Sequence, residues 1–190
     1  MNKFSHLMID LETMGTRPTA AILSIGAVFF DPESGLLGDE FYERIDLNSV
    51  MQHKETTVEA DTIKWWLTQS SEARREIVKD GLISIQQALA RFSGFITLSS
   101  VPDTLKVWGN GATFDNIILR STYERFGFSV PWRWFNDRDV RTAVEFGRCL
   151  NFDPKRDMPF EGIQHNALAD AKHQAKYLST IWKKVINNEI

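Results

Sequence analysis

The chain has 190 residues, of which 43% are apolar and 25% charged, and this globular composition excludes a disordered chain while fitting one domain with a sizeable core. With 22 basic against 25 acidic side chains and a formal charge of -3, it lacks a strongly basic surface for gripping long nucleic acid, so any phosphate recognition has to be local or metal-borne. The single cysteine, Cys149, excludes an intrachain disulfide or a cysteine-rich zinc site and fits a reducing compartment.

The first element is an apolar run, Leu7 to Leu11, that suits a buried strand but carries two carboxylates, Asp10 and Glu12. In a strand the i, i+2 spacing puts both acids on one face and turns Leu11 to the other. Two like charges at the end of a core element oppose each other's ionisation, and desolvation opposes both. A divalent cation such as Mg²⁺ or Mn²⁺ would reverse the local charge through carboxylate oxygens. Alternatively the pair stands at a strand edge and faces water; by itself it leaves both readings open.

Gly15 to Thr19 is a turn-rich connection, and Ile22 to Asp31 predicts a second strand. The apolar run around it, Ala20 to Phe30, contains Ser24 and Gly26 and is too short to cross a bilayer. The residues before Asp10 carry no secretory pattern, so a cytoplasmic protein without membrane association is the expectation. Asp31 to Gly35 closes a hairpin onto a third strand, Phe41 to Ile45, which makes an antiparallel meander. The period then turns helical over Ala60 to Leu67, Glu72 to Val78 and Ile85 to Leu98, with Ser70, Ser71 and Ser84 as available caps.

Leu105 to Trp108 predicts a fourth strand, ended by Gly109-Asn110-Gly111. Thr113 can cap a helix that runs to about Phe126, with Gly127 just beyond its end. Pro131 to Phe135 predicts a short fifth strand and Asp139 to Cys149 a helix, with Asp137 and Asp139 as acids at that helix's start. Asn151 to Gln164, which contains Pro154, Pro159 and Gly162, reads as a surface loop. The last helix begins near Asn166 and sets Ala171, Ala175, Leu178, Trp182 and Val185 on one face. A meander followed by alternating strands and helices predicts a single α/β domain over residues 1–190, a mixed five-stranded sheet flanked by α-helices.

Further acids fall at the ends of neighbouring elements. Asp115, after Ala112-Thr113-Phe114, opens the helix behind the fourth strand, and open sheets present ligand sites at strand carboxyl ends. The structural alternative is a charge that only stabilises the helix amino terminus. Asp170 sits near the start of the last helix between Ala167 and Ala171, whose small side chains allow close packing. His165 precedes that helix at the end of a loop. His6, His53 and His173 are assigned to caps or solvated side chains, with His173 on the helix surface. The adjacent Trp65 and Trp66 point about 100° apart on a helix, which puts one in the core and the other at a cleft or subunit interface. Arg17, Lys155 and Arg156 are loop cations near these acids, read as solvated, with phosphate binding as the alternative.

Taken together, these residues resemble the DEDDh exonucleases, the DnaQ-like 3′ to 5′ exonucleases of the ribonuclease H-like fold. Asp10-Leu11-Glu12 matches the Asp-x-Glu motif, Asp115 after Ala112-Thr113-Phe114 the second motif, and His165 through Asp170 the third, with the spacing of the histidine type. The resemblance runs from the first strand to the last helix, and the size and the Trp65-Trp66 pair are most like the RNase T-like branch of exoribonucleases. Two positions depart from the pattern. Met14 stands where the family commonly has a second threonine, and Asn110-Gly111 where the second motif often begins His-Asn. Neither departure removes a metal ligand; both bear on substrate contacts.

The resemblance implies two Mg²⁺ or Mn²⁺ ions held by Asp10, Glu12, Asp115 and Asp170, with Asp10 bridging, and His165 as general base. It implies substrate contacts at Thr13, Met14 and Phe114, the backbone after Glu12 meeting the terminal 3′-OH and the other two lying beside the last bases. Plain core packing is the alternative for Met14 and Phe114. The implied substrate is the 3′ end of single-stranded RNA or DNA, RNA favoured on the branch alone, with release of nucleoside 5′-monophosphates. A homodimer is implied by the same relatives. Two other functions share these residues, a catalytically idle nuclease-like binding module and a small dinucleotide phosphodiesterase.

Overall fold

The computed structural model describes residues 4–78 and 81–187. Five strands form one mixed sheet: β1 (His6–Thr13), β2 (Ile22–Phe30), β3 (Leu37–Arg44), β4 (Lys106–Gly109) and β5 (Asp137–Asp139), in the spatial order β3-β2-β1-β4-β5. The first three pair antiparallel, as the meander requires, and β4 and β5 add in parallel. The helices are α1 (Leu47–Met51), α2 (Ala60–Thr68), α3 (Ser71–Glu76), α4 (Ile85–Ser99), α5 (Asp115–Arg125), α6 (Val140–Cys149), α7 (Pro154–Asp157) and α8 (Ala167–Ile186).

Alternation along β1 sorts the core into two. Leu7, Ile9 and Leu11 turn to the larger part, against Ile85, Leu89 and Phe92 of α4 and Ile118, Leu119 and Tyr123 of α5. Met8 turns to the other face, against Ala171, Ala175 and Leu178 of α8 and Val140 of α6. Burying one such aliphatic side chain stabilises the fold by roughly 1.5–3 kcal/mol, so both faces of β1 are firmly held. The period of two then presents Asp10 and Glu12 to the α8 face.

Two glycines bring helix starts down onto strand backbone. Gly26 is the register partner of Asp10, and a Cβ there would overlap the carbonyl group of Ala167 and the amide nitrogen of Leu168. At the end of β4, a Cβ on Gly109 would overlap Asn116 Oδ1 and stand 2.9 Å from the Cβ of Asp115. Neither place admits a side chain, and the first turns of α8 and α5 occupy the space.

Several elements differ from expectation. The third strand begins at Leu37 and the fifth is the charged Asp137–Asp139, while the aromatic segment before it turns through a 3₁₀ helix, Trp134–Asn136. Asp137 is tolerated in a strand because Arg120 (3.1 Å), Trp132 Nε1 (2.7 Å) and Asn116 Nδ2 (3.0 Å) all serve its carboxylate. Asp139 does stand at a helix start and caps α6, accepting from the Thr142 amide at 2.8 Å. Thr113 does not cap α5; Phe114 holds that position without a side-chain bond. Ser70 and Ser84 cap α3 and α4 as expected, and α7 interrupts the loop over 151–164.

His6 is neither a cap nor solvated. It is buried among Phe30, Trp108 and Trp182, its Nδ1 accepts from Trp108 Nε1 at 3.0 Å, and burial lowers its pKa to about 4. Among the described residues, no helix is long and apolar enough to cross a membrane.

Candidate active site

β1 pairs with β4 only over His6–Met8, so beyond Met8 that edge of β1 has no strand beside it. The start of α5 takes the place of the missing strand. Asp115, only 2% exposed, accepts the Leu11 amide on its Oδ1 at 3.1 Å, which satisfies a buried donor where the ladder stops. On the opposite face Asn166 caps α8 by accepting from the Ala169 amide at 3.1 Å. The first two turns of α8 thereby carry Asp170 and Gln174 to Asp10 and Glu12. One ligand oxygen each from Asp10, Glu12 and Asp170 lie within 4.8 Å of one another, and Gln174 Nε2 donates to Asp10 Oδ1 at 2.7 Å. Asp115 stands outside that group of three.

These carboxyls resist ionising together. Burial pushes Asp10 well above the usual carboxylate range, and the charges of Asp115, Glu12 and Asp170 push it further. Glu12 is raised in the same way, by burial and then by Asp170 and Asp115. Burial raises Asp115 to about 7 against the pull of backbone hydrogen bonds from Leu11 and Asn110, and raises Asp170 to about 6. Asp170 Oδ2 and Gln174 Oε1 are buried with no hydrogen-bond partner among the described residues. An oxygen-only donor set, mutually repelled and with an orphaned carboxylate oxygen, fits hard divalent cations.

His165 has φ 64°, a left-handed conformation uncommon for a residue with a Cβ. Its ring meets Trp65 edge-on with centroids 4.8 Å apart. Trp65 is 42% exposed, whereas Trp66 is 3% exposed and donates its indole N–H to the Thr13 carbonyl at 2.9 Å. One tryptophan therefore ties α2 to the end of β1 and the other flanks the histidine in the cleft. Partial burial lowers the His165 pKa, which keeps the imidazole neutral near pH 7.

All five motif residues, with Thr13 and Phe114, line one cleft of about 690 Å³. Met14 packs half-buried against the core beside Leu23 and Trp66. Asn110 of the second motif also lines the cleft, as do Glu59, Thr62, Arg141 and Gln174, which no motif marked. For Gln174 a signal existed, because it lies four residues after Asp170 and so on the same helix face. Of the loop cations, Arg17 pairs with Glu59 at 3.1 Å and Arg156 with Asp157 at 2.7 Å, while Lys155 lines a neighbouring groove.

A meander extended by two parallel strands carries the four acids and the histidine of the three sequence motifs at the open end of β1, on the fold shared with solved DEDDh exonucleases. Solved structures share that fold. The nuclease domain of 3′hExo, a DEDDh family member bound to rAMP, superposes with a TM-score of 0.61 at 13% identity, over 96% of this chain and 92% of that one. Exonuclease I superposes with a TM-score of 0.64 at 19% identity, over 96% of this chain and 43% of that one. In sequence, an exodeoxyribonuclease of Enterobacteria phage T4 is 32% identical over 160 residues, 73% of this chain and 70% of the phage protein. The pattern of the 3′-5′ exoribonuclease Rv2179c-like domain matches residues 5–182, and the chain belongs to that family of 3′-5′ exonucleases.

Proposed function

We propose that the chain removes nucleotides one at a time from the 3′ end of single strands, RNA in preference to DNA, by two-metal hydrolysis with His165 as general base. The observation that carries this reading is the meeting of Asp10, Glu12 and Asp170 oxygens within 4.8 Å in a cleft that His165 also lines. Asp10, Glu12 and Asp170 would hold one Mg²⁺ or Mn²⁺, and Asp10 with Asp115 a second. Such ions supply charge for the phosphoryl and leaving oxygens and ease the ionisation of water.

The remaining work falls to the chain's own side chains. His165, neutral near pH 7 and flanked by Trp65, takes a proton from the attacking water as the water oxygen bonds to phosphorus. The bond from phosphorus to the 3′ oxygen of the preceding nucleoside breaks, and that oxygen takes a proton from solvent. The products are a nucleoside 5′-monophosphate and a strand shorter by one residue. Gln174 fixes one oxygen of Asp10, so the carboxylate meets its ligands in one orientation. Thr13 and Phe114 line the space for the terminal nucleoside, where an aromatic face accepts any base.

The family description favours RNA; the phage relative's description favours DNA as the second reading. Matched 5′-labelled RNA and DNA strands, incubated with Mg²⁺ or Mn²⁺, test both. A stepwise RNA ladder that a chelator abolishes supports the proposal, faster shortening of DNA overturns the preference, and no shortening of either strand overturns the reading. A dinucleotide turned over faster than the longer strand would point instead to a small phosphodiesterase.

A further inference from the structure

We infer that Arg141 and Lys155 form a phosphate-binding subsite beside the metal centre that takes the strand on the 5′ side of the scissile bond. The inference rests on the exonuclease reading and adds the direction in which the strand lies. A groove of about 450 Å³ adjoins the cleft and shares Asn110, Arg141, Asp170 and Gln174 with it, so the two form one channel past Asp170. The two ends of that channel differ in charge. Beyond the metal-site acids, the cleft end presents Thr16, Glu59, Asp61, Thr62 and Trp65, and among the described residues Arg141 is the single cation in its lining. The groove end presents Arg141, Arg148 and Lys155 together with the acids Glu145 and Asp153.

Arg148 is occupied by Glu145 and, at 3.1 Å, by Asp153. Neither Arg141 nor Lys155 makes a side-chain hydrogen bond or ion pair with a described residue, and Arg141 lies near enough to Asp115 and Asp139 for its charge to favour their ionised forms. Arg141 also has space made for it. Its guanidinium carbon lies 3.4 Å from the point where a Cβ on Gly111 would stand, and Gly111 has φ 111°, a conformation that residues with side chains rarely adopt. Gly111 is one of the two positions at which the second motif departs from His-Asn. The departure leaves room for a cation where the cleft and the groove meet.

A strand with a free 3′ end has no phosphate beyond its last nucleoside and all its other phosphates on the far side of the scissile bond. The acidic, hydroxyl-bearing and aromatic end of the channel accepts a neutral nucleoside and repels a phosphate. The end with two unpaired cations accepts the polyanion. The terminal nucleoside therefore sits toward Thr13 and Trp65, and the body of the strand leaves over Arg141 and Lys155.

The test compares a dinucleoside monophosphate, whose one phosphate is the scissile one, with an octanucleotide of the same 3′ end. Released nucleotide is measured by chromatography for the wild type, Arg141→Gln, Lys155→Gln and the double variant. In the double variant kcat/KM for the octanucleotide falls at least tenfold more than for the dinucleoside, mostly through KM. The slope of log kcat/KM against log salt becomes shallower by about 1.4, roughly 0.7 for each single-strand phosphate that is no longer neutralised. Arg141→Lys restores the slope, and Lys155→Gln, an exposed change, carries half the test by itself should Arg141→Gln fold poorly. Equal losses on both substrates, or an octanucleotide rate that does not change, overturn the inference while leaving the exonuclease reading intact. A wild-type protein that cleaves neither substrate overturns both.

Discussion

Asp115 commits one oxygen to the Leu11 amide, so its substitutions separate chemistry from folding. Asparagine keeps an acceptor at that place, whereas alanine leaves a buried N–H unpaired at a cost of about 1–3 kcal/mol. Asp115→Asn and Asp115→Ala should both abolish metal-dependent cleavage, but only the alanine variant should lower the melting temperature in chelator. Asp10→Ala and Asp170→Ala should likewise eliminate cleavage. His165→Ala should bind Mn²⁺ with nearly wild-type affinity by calorimetry while kcat falls by about 10²–10⁴; a full rate in that variant removes the general-base role. The acids also set a pH dependence. A carboxyl whose folded pKa is raised holds its proton longer in the native state than in the unfolded chain, so its ionisation costs stability as pH rises. For Asp170 and Asp115 that loss extends to about 6 and about 7, and for Asp10 beyond the usual carboxylate range. His6 acts with the opposite sign, its contribution being lost as pH falls from its ordinary value toward about 4. In chelator, the Asp10→Asn variant should therefore gain in melting temperature over the wild type as pH rises through the range above the usual carboxylate pKa. A constant difference across that range contradicts the raised pKa. At this scale the five motif residues were legible because each carries its chemistry in its own side chain. Gln174 offered only its spacing from Asp170 and Arg141 nothing, because only the fold shows what a neutral amide or a helix arginine faces.

At the level of elements, local pattern and long-range contact part company. The apolar pattern found β1, β2, α2, α4 and α8 nearly to the residue, because the two strands are apolar runs buried on both faces and each helix buries one face. β5 escaped because its three residues are all charged and their partners, Arg120, Asn116 and Thr142, come from neighbouring helices. The α5 cap escaped because Asp115 turns to β1 and Gly109 lets the helix start lie close. Gly26 left no local signature either, since what requires it is the start of α8. Gly26→Ala should cost about 1–3 kcal/mol by urea unfolding, as overpacking does. It should also weaken Mn²⁺ binding, because lifting α8 from β2 carries Asp170 away from Asp10. Undiminished metal affinity in a destabilised Gly26→Ala protein would show that Asp170 reaches its ligand position without this close approach.

Across the whole molecule, a net charge of -3 coexists with a function on polyanions because the balance is local. Four acids at one end of β1 ask for cations, and Arg141 and Lys155 line the groove that adjoins them. Cations that bind only the folded state stabilise it by mass action, by about 2.7 kcal/mol at a concentration one hundred times the dissociation constant. Saturating Mn²⁺ should therefore raise the melting temperature of the wild type and leave that of Asp10→Ala unmoved, by calorimetric scanning.

The shortness of β4 has an engineering consequence. Because it stops after pairing with Met8, the edge of β1 from Ile9 onward is left for Asp115 to complete. An insertion that prolonged β4 along that edge would give more ladder hydrogen bonds and a better-closed sheet, and it would fill the place where Asp115 and Leu11 meet. Selection for thermostability alone would favour such a change and lose the enzyme, so screens on this fold should hold the length of that strand fixed.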